Sequence, residues 1–215
     1  MGMRGHLRQI TPTELVGLQR NPESVKELVR GKAPEDLGAM LAVLQRTQKI
    51  ALEARAAGVL NDPAERERVR ARTFKELDNA GVNVAGGAEG SSTENGLNLE
   101  KSWHVLHYLL TGKAKEAPPP LGNAILGGQE IGGDLGYGPA RFLTAQQVRE
   151  VAIALGAISK DELRERFDLK AMIAANIYPV RDKSELRLAQ DYFEELSRYY
   201  AEAAEGRNAM LLWLV

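Results

Sequence analysis

With 215 residues, 44% of them apolar and 27% charged, the chain has the composition of one ordinary packed domain, and neither a disordered tail nor a continuous coiled coil fits. Its 28 Lys and Arg balance 29 Asp and Glu, so no global positive field favours nucleic acid or an anionic membrane surface as partner. Cysteine is absent, which excludes disulfides, thiolate metal sites and a cysteine nucleophile, and fits a reducing cytoplasm.

The N-terminal Met1-Gly-Met-Arg-Gly-His-Leu lacks the apolar run of a targeting segment. Residues 3–10 alternate as a strand, with Met3, Gly5 and Leu7 on one side. Thr11 or Thr13 then caps a helix, with Pro12 and Glu14 suited to its first turn. A second short helix follows Asn21-Pro22-Glu23 and stops near Gly31. From Pro34 to Ala57, Leu37, Met40, Leu41, Leu44, Gln48, Ala51 and Leu52 recur at helical spacing. Asn61-Asp62-Pro63 opens a helix too charged to be buried all round, and Gly81 to Gly96 is a connection rich in Gly, Ser, Thr and Asn.

Asn98 suits the N-cap of a buried helix over 99–112, ended by Gly112. A proline-rich linker, 113–120, leads to an apolar stretch, 121–126, that reads as an interior strand. Thr144-Ala-Gln-Gln147 and Ser159-Lys-Asp-Glu162 have capping-box spacing and each begins a helix. The clearest helical period spans 184–205, with Leu188, Ala189, Tyr192, Phe193, Leu196, Tyr199, Tyr200 and Ala203 inward and Gly206 closing it. Residues 208–215 are almost wholly apolar, the pattern of a strand buried on both faces at the centre of a helix-covered sheet. A membrane helix would need ~20 such residues. The order of elements points to a three-layer α/β arrangement.

The segment 97–143 concentrates the chemistry. His104 and His107 are three residues apart on one helix, close enough to share a ligand. Glu130, Asp134 or His6 could supply a third metal ligand, but no His-Glu-x-x-His pattern or second carboxylate at fixed spacing supports one, so no metal is expected and each histidine reads first as bonded to a neighbouring carbonyl. Glycines crowd the stretch Gly127-Gly-Gln-Glu-Ile-Gly-Gly-Asp-Leu-Gly-Tyr-Gly138. It has neither a P-loop Lys-Ser or Lys-Thr nor Gly-x-Gly-x-x-Gly opening a helix; no nucleotide cofactor is expected, and turns explain the glycines better than a ligand does. Glu130, Asp134, Tyr137 and Arg141 are the polar residues that loop presents. An internal salt bridge, Arg141 to Asp134 or Glu130 with Tyr137 packed on it, is the plainest use of them.

Several blocks, in order, carry a family likeness. Met1-Gly-Met-Arg-Gly-His-Leu, Lys101-Ser-Trp-His-Val-Leu-His-Tyr-Leu-Leu-Thr-Gly112, Leu126-Gly-Gly, Asp134-Leu-Gly-Tyr-Gly-Pro-Ala-Arg141, Ile177-Tyr-Pro179 and the closing helix and apolar strand resemble the YfbM-like family of uncharacterised bacterial proteins. The likeness covers 1–31 and 97–215. It implies a compact helix-rich α/β domain with a small mixed central sheet in a bacterial cytoplasm, and no assigned reaction. Residues 32–96 depart from the family as a helical insertion, whose 34–79 helices would suit a homodimer contact.

Two functions follow as expectations. The first is a non-catalytic domain binding another protein or a small polar ligand, with Trp103, His104, His107, Gln129, Glu130, Asp134, Tyr137 and Arg141 as the candidate contacts. The second is a hydrolase-like enzyme using His104 and His107 with Glu130 or Asp134, with or without a metal ion.

Overall fold

The computed structural model describes residues 2–30, 96–178 and 180–215, together with Gln45, Gln48, Lys49, Leu52 and Arg55. The chain divides into two compact units, residues 1–29 with 90–215, and residues 30–89. In the second unit those five residues are helical and exposed. The rest of the expected 34–57 helix, the charged helix after it and the connection 81–95 lie outside the described residues, as does the dimer contact proposed for them.

The first unit is α/β. Its strands are β1 (Gly5–Ile10), β2 (Leu97–Glu100), β3 (Gln129–Asp134), β4 (Pro139–Leu143) and β5 (Ala209–Leu214). Its helices are α1 (Pro12–Arg20), α2 (Ser24–Arg30), α3 (Trp103–Thr111), α4 (Ala145–Gly156), α5 (Lys160–Arg166), α6 (Leu169–Ala174) and α7 (Ser184–Glu205). The strands form one sheet in the order β2-β1-β5-β4-β3. Every neighbouring pair is antiparallel, so the sheet is not mixed. A continuous apolar run marks burial on both faces, but it carries no strand direction.

That run is β5, the middle strand, as its pattern implies. Met210 and Leu212 join Leu7, Leu97, Leu99 and Leu143 in a core shared with α3, α4 and α7. Ala209, Leu211 and Trp213 join Ile10, Ile131, Ala140 and Phe142 in a second core, shared with Leu15 and Leu18 of α1 and Val25 of α2. Helices thus cover both faces, which gives the expected three layers.

Local signals explain most helix starts. Thr11, not Thr13, caps α1 and exchanges bonds with Glu14; Thr144 with Gln147 and Ser159 with Glu162 do the same for α4 and α5. Gly112 ends α3 in the left-handed region at φ 68. At the end of α7 the left-handed residue is Arg207 (φ 54), one place beyond Gly206. Of the inner face expected for α7, Leu188 is exposed and Ala189, Phe193, Leu196, Tyr199, Tyr200 and Ala203 are buried.

Two expected elements are corrected. Asn98 is no helix cap: Leu97–Glu100 is β2, pairing with β1, and α3 begins only at Trp103. Residues 121–126 form no strand, since Leu121–Ala124 is one 3-10 turn. In both places short apolar runs fit either element, and packing decides.

Candidate functional site

The turn that starts α3 is tight. Ser102 N–H donates to the Leu99 carbonyl at 3.0 Å, and Glu100 takes the left-handed conformation at φ 47. Trp103 follows and is 4% exposed, its indole N–H donating to the Met3 carbonyl at 3.2 Å. A Cβ on Gly5 would stand 2.6 Å from the Trp103 Cβ, so the glycine is what lets β1 run this close to the helix. Trp103 is therefore a core anchor and offers no face to a ligand.

Both α3 histidines reach the connection that follows their own helix. His104 uses its two ring nitrogens: Nδ1 accepts the Tyr178 N–H at 3.0 Å, so Nε2 carries the proton and donates to the Ala114 carbonyl at 2.8 Å. His107 donates from Nε2 to the Lys115 carbonyl at 2.6 Å. It is wholly buried, and its Nδ1 has no hydrogen-bond partner. Burial pushes both imidazoles below the ordinary histidine value, opposed in part by the carbonyl bonds, which favour a proton. Both are neutral and tied to backbone, as the residue-level reading expects.

The glycine-rich segment is a hairpin with an edge strand. In β3, Glu130 stands opposite Arg141 of β4, and the register slips between Ile131 and Asp134, where Gly132 takes φ 77. Asp134 Oδ1 accepts the N–H groups of Gly136 and Gly138, both at 2.9 Å, and these bonds hold its carboxyl below the usual carboxylate range. Its role is to form the turn. Gly136 and Gly138 take φ 125 and 101, conformations that favour glycine.

Arg141 ion-pairs with Glu130 at 2.9 Å and with Glu116 at 2.7 Å, and no bond joins it to Asp134. Glu116 is the residue that sequence reasoning missed. It sits in a proline-rich linker whose composition gives no sign of a distant partner. Tyr137, at the hairpin tip, is exposed and not packed in the core, and Gln129 and Glu130 are exposed on the same edge strand.

His104, His107 and Arg141 thus end on three consecutive residues, Ala114, Lys115 and Glu116. The candidate residues fall into two groups. Trp103, His104 and His107 lie inward and fasten the connection, while Gln129, Glu130, Tyr137 and Arg141 are arrayed along the hairpin beside Glu116. Among the described residues no three His, Asp or Glu side chains gather as metal ligands.

A family model described as a domain of unknown function (DUF1877) matches residues 1–213. The chain belongs to that family. Among solved structures it is similar to YfbM of Escherichia coli, a protein of unknown function, at 17% identity and a TM-score of 0.56, with 99% of each chain covered. At that identity the likeness shows the fold alone, and it agrees with the resemblance drawn from the motif blocks. No curated protein matches. Among the described residues no helix is long and apolar enough to cross a membrane.

Proposed function

We propose that the chain is a non-catalytic bacterial cytoplasmic binding domain that recognises another protein, or a small polar ligand, on the β3–β4 hairpin and the adjoining 113–120 connection. The contacts in this reading are Gln129, Glu130, Tyr137 and Arg141, joined by Glu116. One observation carries it: three side chains from α3 and β4 are committed to holding Ala114, Lys115 and Glu116 in place. A surface fixed in advance loses less conformational freedom on binding, and exposed loops on a rigid scaffold are the usual site of recognition. The chain forms a single domain in this reading, with 32–96 as a helical insertion available for self-association.

The hydrolase alternative fares worse against the same geometry. His104 has both ring nitrogens engaged by backbone, and His107 is sealed in the core. A general base has to reach a substrate proton, and neither imidazole is placed to do so.

The test is thermal melting of the wild-type protein across a panel of small polar compounds and candidate protein segments. A ligand at a hundred times its Kd stabilises by about 2.7 kcal/mol, a rise in Tm of roughly 5–10 °C for a domain of this size. The rise is expected to vanish with Tyr137→Ala and Arg141→Ala. Substrate turnover abolished by His104→Ala or Glu130→Gln, in protein that still melts cooperatively, would refute the reading.

A further inference from the structure

Residues 113–117 are held in place almost entirely by side chains. They are exposed or half-buried, and among the described residues no backbone–backbone bond ties them to another element. Ala114 packs on the core. Beyond that, the segment is fixed by Thr111 at its start, by Arg141 on Glu116, and by the two α3 imidazoles on Ala114 and Lys115. The Arg141 pair is partly solvated and holds little by itself. A segment with so few buried contacts opens at a lower free energy than the sheet does, and the imidazoles are what keep it closed.

Both rings can do this only while neutral. His104 Nδ1 accepts the Tyr178 N–H at 3.0 Å, and a proton added there would meet that N–H donor to donor. His107 Nδ1 is sealed in the core without a partner, so a proton added there would leave a buried charge with no acceptor. Either strain is relieved when the ring turns out to water, and the ring then gives up the carbonyl that its Nε2 holds. The surroundings do not offset the charge. Of the elements packed on α3, α5 brings Arg166, which donates to the Leu109 carbonyl at 3.2 Å, and the 3-10 turn has no titratable residue. α7 brings the buried Tyr199 and Tyr200 and the half-buried Tyr192 and Glu195. The connection itself has Lys113, Lys115 and Glu116, the last bound to Arg141, and Tyr178 follows α6. Among the described residues the one charge that bears on either ring is that of His104, which opposes a proton on His107.

We infer that His104 and His107 form an acid-released latch on residues 113–117, whose protonation frees this segment while the sheet stays folded. As regulation, this rests on the recognition reading above: freeing Glu116 and its neighbours disorders one side of that surface. Burial lowers both rings, so the latch is shut above the ordinary histidine value of 6.5 and opens as pH falls below it.

The experiment is nuclear magnetic resonance on the full chain as pH is lowered from about 7.5 to about 5, a range that spans the ordinary histidine value. It follows the ring signals of His104 and His107, the backbone order of residues 113–117 and the Tyr178 amide, with the β5 amides reporting on the whole fold. Order parameters at 113–117 are expected to fall from about 0.85 to below about 0.6 in step with the ring signals, and the Tyr178 amide to lose protection, while β5 stays protected. Replacing both histidines, His104→Gln with His107→Gln, keeps a donor and an acceptor that do not titrate, and is expected to abolish the pH dependence. If that variant melts early, the wild-type coincidence of ring and backbone signals decides alone. A segment still ordered at about pH 5 overturns the inference, as do rings that take up protons only when β5 opens, or a pH dependence that survives in the variant. No ligand enters these measurements, so a failed compound panel leaves them intact, and failure here leaves the recognition surface standing as a permanently fixed one.

Discussion

Tyr200→Phe isolates one bond that anchors the chain between the linker and the hairpin. Tyr200 is fully buried in α7, and its hydroxyl donates at 3.0 Å to the carbonyl of Ala124, which is itself 0% exposed. Burial pushes the phenol far above its ordinary value, so it remains a neutral donor at any working pH. Phenylalanine keeps the ring and its packing but leaves the Ala124 carbonyl with neither this donor nor access to water. An orphaned buried acceptor costs about 1–3 kcal/mol, and a value near 2 is expected. For a chain of this length that is a fall in Tm of about 4–8 °C. Urea denaturation should show the lower midpoint with an unchanged slope, since the surface exposed on unfolding is the same. A loss below about 0.5 kcal/mol would mean that the carbonyl finds another donor, and the account of how α7 fixes the 3-10 turn would be wrong.

Acid should weaken the fold in a window set by its histidines. His6, His104 and His107 are all lowered, chiefly by burial, so the unfolded chain takes up protons first. Stability from these groups is complete above the unfolded value of about 6.5 and falls as pH drops from there through the folded values. His107, wholly buried, contributes at most about 1.4 kcal/mol per pH unit to that slope. Urea midpoints either side of pH about 6.5 measure it, and His107→Gln should flatten the dependence; an identical slope in that variant refutes the assignment. A double-mutant cycle between Arg141 and Glu116 should give a coupling of roughly 0.2–1 kcal/mol, because both partners are partly solvated. Arg141→Ala should also speed amide exchange at residues 113–117 while leaving α7 unchanged. Equal exchange in variant and wild type would show that Arg141 does not fasten the connection.

What could be read in advance was local. Thr11, Thr144 and Ser159 announce their helices because a capping box closes within four residues. The α7 period and the apolar β5 run are long enough to outweigh chance. Leu97–Glu100 gives no strand signal of its own, because its strand character comes from pairing with β1, some ninety residues earlier, and nothing in four residues encodes that. The same holds in the site. A bond from each histidine to a neighbouring carbonyl follows from the need of buried polar groups for partners, but Trp103 looks alike in sequence whether it faces water or Met3. Glu116 became visible only once the linker folded back to bring it beside Arg141.

The placement of β5 has a consequence for biosynthesis. Of the described strands it is the last to be made, yet it lies between β1 and β4 and is needed by both helix-covered cores. Until residues 209–214 leave the ribosome, β1 and β4 have an empty slot between them, each with a bare edge towards it. Such long-range closure makes for slow folding, and open edges in waiting chains invite them to pair with one another. A nascent chain stalled before β5 is therefore a natural client for a chaperone, and losing residues 209–214 would do more harm than losing as many from the middle of a surface loop.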